Sequence, residues 1–235
     1  KKIFWKLFNW KKIFLKKYFL IKNYSLITNE EIFERIYERK IWNKSSNLDF
    51  DSGPGSHDSD ILQPYLDVIL SFLNKNRNMI IIDLGCGDFN VGINLIKLSK
   101  KYITIDVVGS LIKRNKIFFK SKKLTFKRID AVNENIPSGD CILIKEVFQH
   151  ITNKEIKLIL KKLINFKYLI VTESEPLMPF KPNKDKLKGP ECRTDMISGI
   201  IIDKSPFNFK FKFKRELLRV KREDRYLVTT IYQTY

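Results

Sequence analysis

Apolar and polar residues change period along this chain, and the changes mark its elements. "ILQPYLDVILSFL" at 61–73 has helical spacing, with Pro64 in a position suited to a first turn. "MIIIDLGCGDFNVG" at 79–92 opens with an apolar, β-branched run too short to cross a membrane. Such a run suits a strand buried on both faces of a parallel sheet. The pattern then alternates: a helix from near Asn90 to Lys100, a strand over 102–108, a helix over 110–120 and a strand over 124–129. "CILIK" at 141–145 predicts the next strand, 153–164 a helix and 168–173 a fifth strand. Repeated strand–helix alternation predicts a doubly wound, mostly parallel α/β sheet. "LLRVKRED" and "YLVTTIYQT" read as a terminal hairpin added to it.

Upstream, residues 28–43 read as a helix capped by Thr28, with Glu31 completing a capping box. "DSGPGSHDSD" at 51–60 reads as a loop, punctuated by glycine and proline. A second loop rich in Pro, Lys and Gly covers 175–192, inside an insert around 175–210. The chain thus divides into a basic amphipathic helix at 1–27 and an α/β domain at 28–235 with an N-terminal helical lid region.

Composition changes this picture at the N-terminus. The first 22 residues hold eight Lys and no acid, with eleven Ile, Leu, Phe, Trp or Tyr residues by position 19. On a helix Ile3, Phe4, Leu7, Phe8, Phe14, Leu15 and Tyr18 fall on one side, and Lys2, Lys6, Lys12 and Lys16 on another. Apolar burial and headgroup attraction then act together, so peripheral contact with an anionic membrane is expected, on the inner face of a cytoplasmic protein. Docking on protein is the competing reading of the same helix. The charge of +19 favours a polyanionic partner, but Lys is abundant along the whole length, so nucleic acid is not preferred. Three widely spaced cysteines, Cys86, Cys141 and Cys192, indicate a reducing compartment and no structural zinc site.

The chemistry begins at the end of the first strand. Asp83 is delivered to the carboxyl edge of the sheet, and Gly85 and Gly87 remove Cβ atoms from the turn that follows. Asn90 replaces the third glycine of a GxGxxG turn, which weakens a pyrophosphate-binding reading. Asp106 ends the second strand, where a carboxylate can accept from two ribose hydroxyls of either a nicotinamide cofactor or S-adenosylmethionine.

Four segments in order, "IIIDLGCGDFN", "ITIDVV", "RIDAVNENIP" and "GDCILIKEVFQHI", resemble those of the class I S-adenosylmethionine-dependent methyltransferases. "SGPGSH", "CGDFN" and "SPFNF" resemble a bacterial subgroup found beside sugar-processing genes. The resemblance implies a seven-stranded sheet of order 3-2-1-4-5-7-6 with an antiparallel terminal strand, and S-adenosylmethionine as cofactor. It places Gly85, Gly87 and Asp83 at the methionyl part, Asp106 at the ribose, and Asp130 with Ala131 at the adenine. Asp88 and Ser56 join the cofactor set, the latter in a loop suited to fold over it. The acceptor it implies is a small molecule or glycan, with O-methylation of a cell-envelope precursor as the leading reading. An RNA or protein acceptor, or a non-catalytic binding module, is the alternative.

A hydroxyl acceptor gains from a general base, so ionisable groups after the fourth and fifth strands are the candidates. His150 is the first choice, as a side chain that ordinarily titrates near neutrality, with Glu146 four residues earlier to orient it on a helical turn. His57, Glu173 and Arg193 are candidates for substrate contact, with Glu191 and Asp195 behind them. No metal-ligand spacing is visible.

Overall fold

The computed structural model describes residues 27–235. The proposed N-terminal membrane helix therefore lies outside the described residues. Seven strands form one sheet of order β3-β2-β1-β4-β5-β7-β6. They are β1 (Ile80–Leu84), β2 (Lys101–Asp106), β3 (Leu124–Arg128), β4 (Cys141–Lys145), β5 (Tyr168–Pro176), β6 (Phe213–Lys221) and β7 (Arg225–Gln233). The first five pair in parallel, while β7 runs antiparallel to both β5 and β6. This is the expected order and the expected terminal hairpin.

Strand alternation divides the core between two faces. Ile82, Ile142, Ile144, Leu169 and Val171 pack against α5 (Asn153–Lys162). Ile81, Leu143, Ile170 and Ile231 face α3 (Ser59–Lys75), with Tyr65, Ile69 and Leu73 fully buried between them. A third helix, α4 (Gly109–Phe118), follows β2. The helix α3 begins at the Asp58 cap, two residues before the expected apolar spacing, so Pro64 lies inside it.

Two elements differ from expectation. The helix α1 (Asn29–Glu38) has the predicted Thr28–Glu31 capping box but ends five residues early. Lys40 turns left-handed (φ 49°) and Ile41 N–H closes back on Ile36 O, which sends Trp42 under the lid. Residues 90–100 form two 3-10 turns, Gly92–Asn94 and Ile96–Leu98, in place of an α-helix. The Asn94 amide occupies the carbonyls of Asn90 and Val91, acceptors an α-ladder would need. Gly92 also presses on the sheet so closely that a Cβ would lie 2.3 Å from Phe89 and 2.9 Å from the Asp83 carboxylate.

The insert after β5 is pinned from inside. Asn183 (4% exposed) donates to the carbonyls of Ile201 and Ser205 and accepts from Ile201 N–H. Arg193, 1% exposed, donates to the carbonyls of Lys184 and Ile151. Deleting it leaves two carbonyls without these donors and a void where the stem packed. Arg193→Ala is therefore expected to lower stability by about 3 kcal/mol or more in urea unfolding, and Arg193→Lys, which lacks the fork, to recover only a fraction of this.

Candidate functional site

The carboxyl ends of β1, β2, β3 and β4 open into a cavity of about 350 Å³, a size suited to a small ligand. Its floor is the turn after β1. Gly85 (φ 73°) and Gly87 (φ 53°) both adopt conformations that favour glycine. Both are also needed for packing, since a Cβ on Gly85 would meet Val147 at 2.4 Å and one on Gly87 would meet Ser52 Oγ at 2.2 Å. The Gly87 N–H donates to Asp106 Oδ2, and the buried Asn115 amide donates to Gly87 O, so neighbouring elements fix the turn.

Three carboxylates from successive strands line this cavity. Asp83 ends β1 and accepts from Tyr102 OH at 3.1 Å; burial pushes its pKa up to about 7 against that hydrogen bond. Asp106 is raised too, by burial, although Val108 and Gly87 N–H groups favour its ionised form. Asp130 is held by Val132 N–H and the Asn133 amide, with Asn29 at 3.5 Å. Val107, Ile129, Ala131 and Val132 supply an apolar slot beside Asp106 and Asp130.

The lid comes from α1 and the 51–57 segment. Gly109 N–H and Arg128 both bond Glu30, which ties α1 to the ends of β2 and β3. Phe33, Tyr37 and Trp42 then face the cavity. In the expected loop, residues Pro54–His57 form one helical turn, α2. Ser56 lines the cavity while its carbonyl accepts from Asn90.

His57 and Asp88, expected at the substrate and the cofactor, do not line the cavity. His57 Nε2 lies 2.6 Å from Asp88 Oδ2, whose carboxylate also accepts from Ser52 and Asn90 N–H. The pair is a strut from lid to glycine turn. Asp51, 3.9 Å from His57 Nε2, completes a cluster whose ligand atoms lie within 4.8 Å, which no sequence spacing showed. Its oxygens already accept from Gly53 N–H and Asn43.

At the end of β4, Glu146 adopts φ 56° and its Oε2 accepts from Lys145 Nζ at 2.7 Å. Burial opposes ionisation of Glu146, but the Lys145 charge holds its pKa below the usual range. Lys145 also donates to Gly55 O, and a Cβ on Gly55 would come within 1.9 Å of Glu146, so the lid closes directly on this pair. A 3-10 turn, Phe148–His150, follows in place of an α-helical one. Glu146 and His150 still share the cavity wall, bridged by Gln149, whose Nε2 is 3.5 Å from Glu146 Oε1 and 3.3 Å from His150 Nε2.

The expectation that His150 titrates near neutrality is corrected: burial, then the Lys186 charge, pushes it down to about 4. Its Nδ1 faces Gly189 O at 3.2 Å, an atom that can only accept, which assigns the proton to Nδ1 and the lone pair to Nε2.

Glu173 and Arg193, expected at the substrate, both lie outside the cavity lining. Glu173 receives the N–H groups of Val147, Phe148 and Gln149 and so anchors the turn that carries His150. Arg193 pins the insert. Of the subgroup segments, "SPFNF" is structural: Phe209 is buried in the core and Phe207 packs against it. Sequence reasoning missed Trp42, Tyr37 and Gln149. The one signal available was Lys145, a charge closing an otherwise buried strand.

The His57–Asp88 strut has a pH window. The Asp88 hydrogen bond raises His57 above its ordinary value, so its stabilisation is complete below about pH 6.5 and is lost as pH rises through the higher folded value. Burial would raise Asp88, but His57 and Ser52 bring it below the usual carboxylate range, so that contribution is lost only on strong acidification. His57→Ala is expected to cost about 1 kcal/mol at pH 6, after allowing for partial exposure, and markedly less at pH 9. Urea midpoints at the two pH values check this, and equal losses at both would contradict it.

The sequence matches no protein-family model, and no curated protein matches it. Solved structures do. N-methyltransferase NodS from Bradyrhizobium japonicum WM9, in complex with S-adenosyl-l-homocysteine, superposes with a TM-score of 0.62 at 11% identity, over 86% of this chain and 98% of that one. The 1,6-didemethyltoxoflavin-N1-methyltransferase of Burkholderia thailandensis, with bound S-adenosylhomocysteine, gives 0.57 at 14% identity over 86% of each chain. The magnesium protoporphyrin IX methyltransferase of Synechocystis PCC 6803, with bound SAM, gives 0.54 at 12% identity, over 88% and 98%. Likeness at these identities is one of architecture, and together with the strand order it shows that this chain has the class I methyltransferase fold.

Proposed function

We propose that the protein is an S-adenosylmethionine-dependent methyltransferase. The observation that carries this reading is the set of three carboxylates, Asp83, Asp106 and Asp130, at the ends of adjacent strands around one cavity. Asp83 sits deep with one hydroxyl partner, an environment that favours a cation such as the cofactor's ammonium group. Asp106 is fixed by two backbone N–H groups and keeps lone pairs for a ribose diol. Asp130, Ala131 and the apolar slot suit an adenine. When bound, the cofactor supplies a sulfonium methyl group open to in-line displacement.

The acceptor in this reading is a hydroxyl on a glycan or related cell-envelope precursor, an assignment supported by the resemblance of "SGPGSH", "CGDFN" and "SPFNF". The chain's own residues would align that hydroxyl and take its proton. His150 keeps the needed tautomer, with Nε2 as the acceptor and Glu146 close behind it. Its lowered basicity sets a modest contribution. Transfer of a labelled methyl group into fractionated cell extract tests catalysis and acceptor class together.

Cofactor binding is expected to carry the titration of Asp83. The folded chain takes up this proton below about pH 7, whereas an unfolded carboxyl does so near 4. The ligand-free fold therefore gains stability from this site as pH falls, and loses it as pH rises through about 7. Binding a cation has the opposite preference. Affinity for S-adenosylmethionine should fall roughly ten-fold or more between pH 7.5 and 5.5, and Asp83→Asn should bind weakly with no such slope in calorimetric titrations. Asp106→Ala should weaken binding about ten-fold or more at either pH. Tighter binding of NADH than of S-adenosylmethionine would overturn the assignment.

For His150 the expected loss of turnover in His150→Ala is about 10², the lower end of general-base contributions, with cofactor affinity retained. With cofactor kept saturating, so that Asp83 does not set the profile, the acid limb of the parent turnover should lie near pH 4, matching the buried imidazole and not a free one. A variant that turns over at the parent rate would exclude His150 as the base.

A further inference from the structure

Beyond the three carboxylates, one end of the cavity is unassigned. It is walled by Glu146, Gln149, His150, Ser174 and Trp42, and bordered by Arg222 and Arg225 from the β6–β7 turn. Two of its buried polar atoms, Gln149 Oε1 and Ser174 Oγ, can accept a hydrogen bond and have no partner among the described residues. Both residues are 3% exposed. Glu146 Oε1 has a 3.5 Å contact from the Gln149 amide, and His150 Nε2 a 3.3 Å contact from the same group. Buried acceptors left in this state are destabilising, and a ligand that brings donors relieves the deficit.

Charge narrows the class of ligand. Lys145 Nζ, 2.7 Å from Glu146 Oε2, already neutralises the carboxylate on this wall. Arg222 and Arg225 at the rim are paired with Asp58 and Asp224, so the rim adds no net negative charge. An ammonium ion entering here would find no free counter-charge, whereas neutral O–H groups would find acceptors. The remaining wall is flat and apolar. Trp42 is half-buried, set edge-on to Tyr37 at 5.1 Å and tilted over His150 at 5.2 Å, which holds its ring in one orientation. A rigid indole face beside a row of acceptors suits a saturated ring bearing several hydroxyls.

We infer that Gln149 and Ser174, which line the same cavity as Trp42, form the subsite that selects the acceptor, and that it admits an uncharged polyhydroxylated ring in preference to its amino counterpart. The inference deepens the methyltransferase reading and rests on it for the role of the site. Neither residue is assigned to the chemistry; they determine which molecule is presented to it.

The test uses the full chain loaded with S-adenosylhomocysteine, probed by saturation-transfer NMR with methyl glucoside, galactoside and mannoside and with the matching 2-amino-2-deoxy sugars. At least one neutral glycoside is expected to bind at millimolar concentration, and its amino counterpart several-fold more weakly. Gln149→Met should lose at least five-fold in glycoside affinity, and Trp42→Leu should abolish the signal, while both keep their affinity for S-adenosylhomocysteine. Gln149→Glu, which adds an unpaired carboxylate, should shift preference towards the amino sugar. Stronger binding of the amino sugars by the parent, unchanged glycoside binding in Gln149→Met, or no glycoside signal from protein loaded with S-adenosylhomocysteine would each overturn the inference. Failure of S-adenosylhomocysteine to bind would instead defeat the cofactor reading, and the ratio of neutral to amino sugar measured on the ligand-free chain would still decide the subsite. Unfolding midpoints for each variant separate a lost contact from a lost fold.

Discussion

Three carboxylates buried at one edge of a sheet are the constraint on which this structure depends. An ionised carboxylate without donors is costly in a partly dehydrated cavity, so each must be met by groups the fold supplies. Asp106 takes its donors from the backbone of the glycine turn and from Val108. Asp130 takes them from its own turn and from α1. Asp83 receives one hydroxyl and remains the least compensated of the three. Gly87 in the turn, Val108 at the cap of α4 and Asn29 at the start of α1 each supply a donor to the first two. What remains unmet, at Asp83, is the demand that the proposed cofactor's ammonium group would meet.

The lid is a second consequence. Residues 51–57 and α1 cannot hold the cavity closed through apolar packing alone, because the edge they cover is polar. They are fastened by hydrogen bonds in which one partner is charged: His57 with Asp88, Lys145 with Gly55 O, and Arg128 with Glu30. Two of these lie on the segment that touches Glu146, so lid position and the environment of Glu146 are coupled. Charge-assisted bonds are stronger than neutral ones and also sensitive to protonation, so the His57–Asp88 bond weakens as His57 loses its proton.

Periodicity made the sheet legible because buried parallel strands are short apolar runs set between helical segments; the run alone does not suffice, since the IIID of 80–83 recurs at 200–203 outside any strand. The strand over 141–145 and the capping box at Thr28 were readable for the same local reason. Tertiary demands were not. A helix after Asn90 satisfies every local preference, yet the close approach of Gly92 to Phe89 and Asp83 imposes 3-10 turns. Glu173 looked like a ligand because it follows a strand at the functional edge. Its carboxylate turns instead to three N–H groups of the 147–149 backbone, contacts 24 to 26 residues apart that spacing cannot reveal. Trp42 was invisible because its role is created by a left-handed residue, Lys40, that ends α1 early.

Histidine 150 shows how a correct location can carry an incorrect chemistry. From the sequence it sits after the fourth strand and titrates near neutrality, and the first property holds. The second fails because a wall built to hold a dry, acceptor-rich surface also desolvates the imidazole, and because Lys186 lies near enough to oppose a second positive charge. The same desolvation that weakens His150 as a base keeps it neutral across the physiological range, with Nε2 the accepting nitrogen and the Gln149 amide 3.3 Å from it. Basicity and acceptor character are thus set in opposition by one environment. The geometry at Gly189 O resolves the conflict in favour of a fixed, neutral acceptor, so in the proposed reaction alignment of the hydroxyl would carry more of the work than proton affinity.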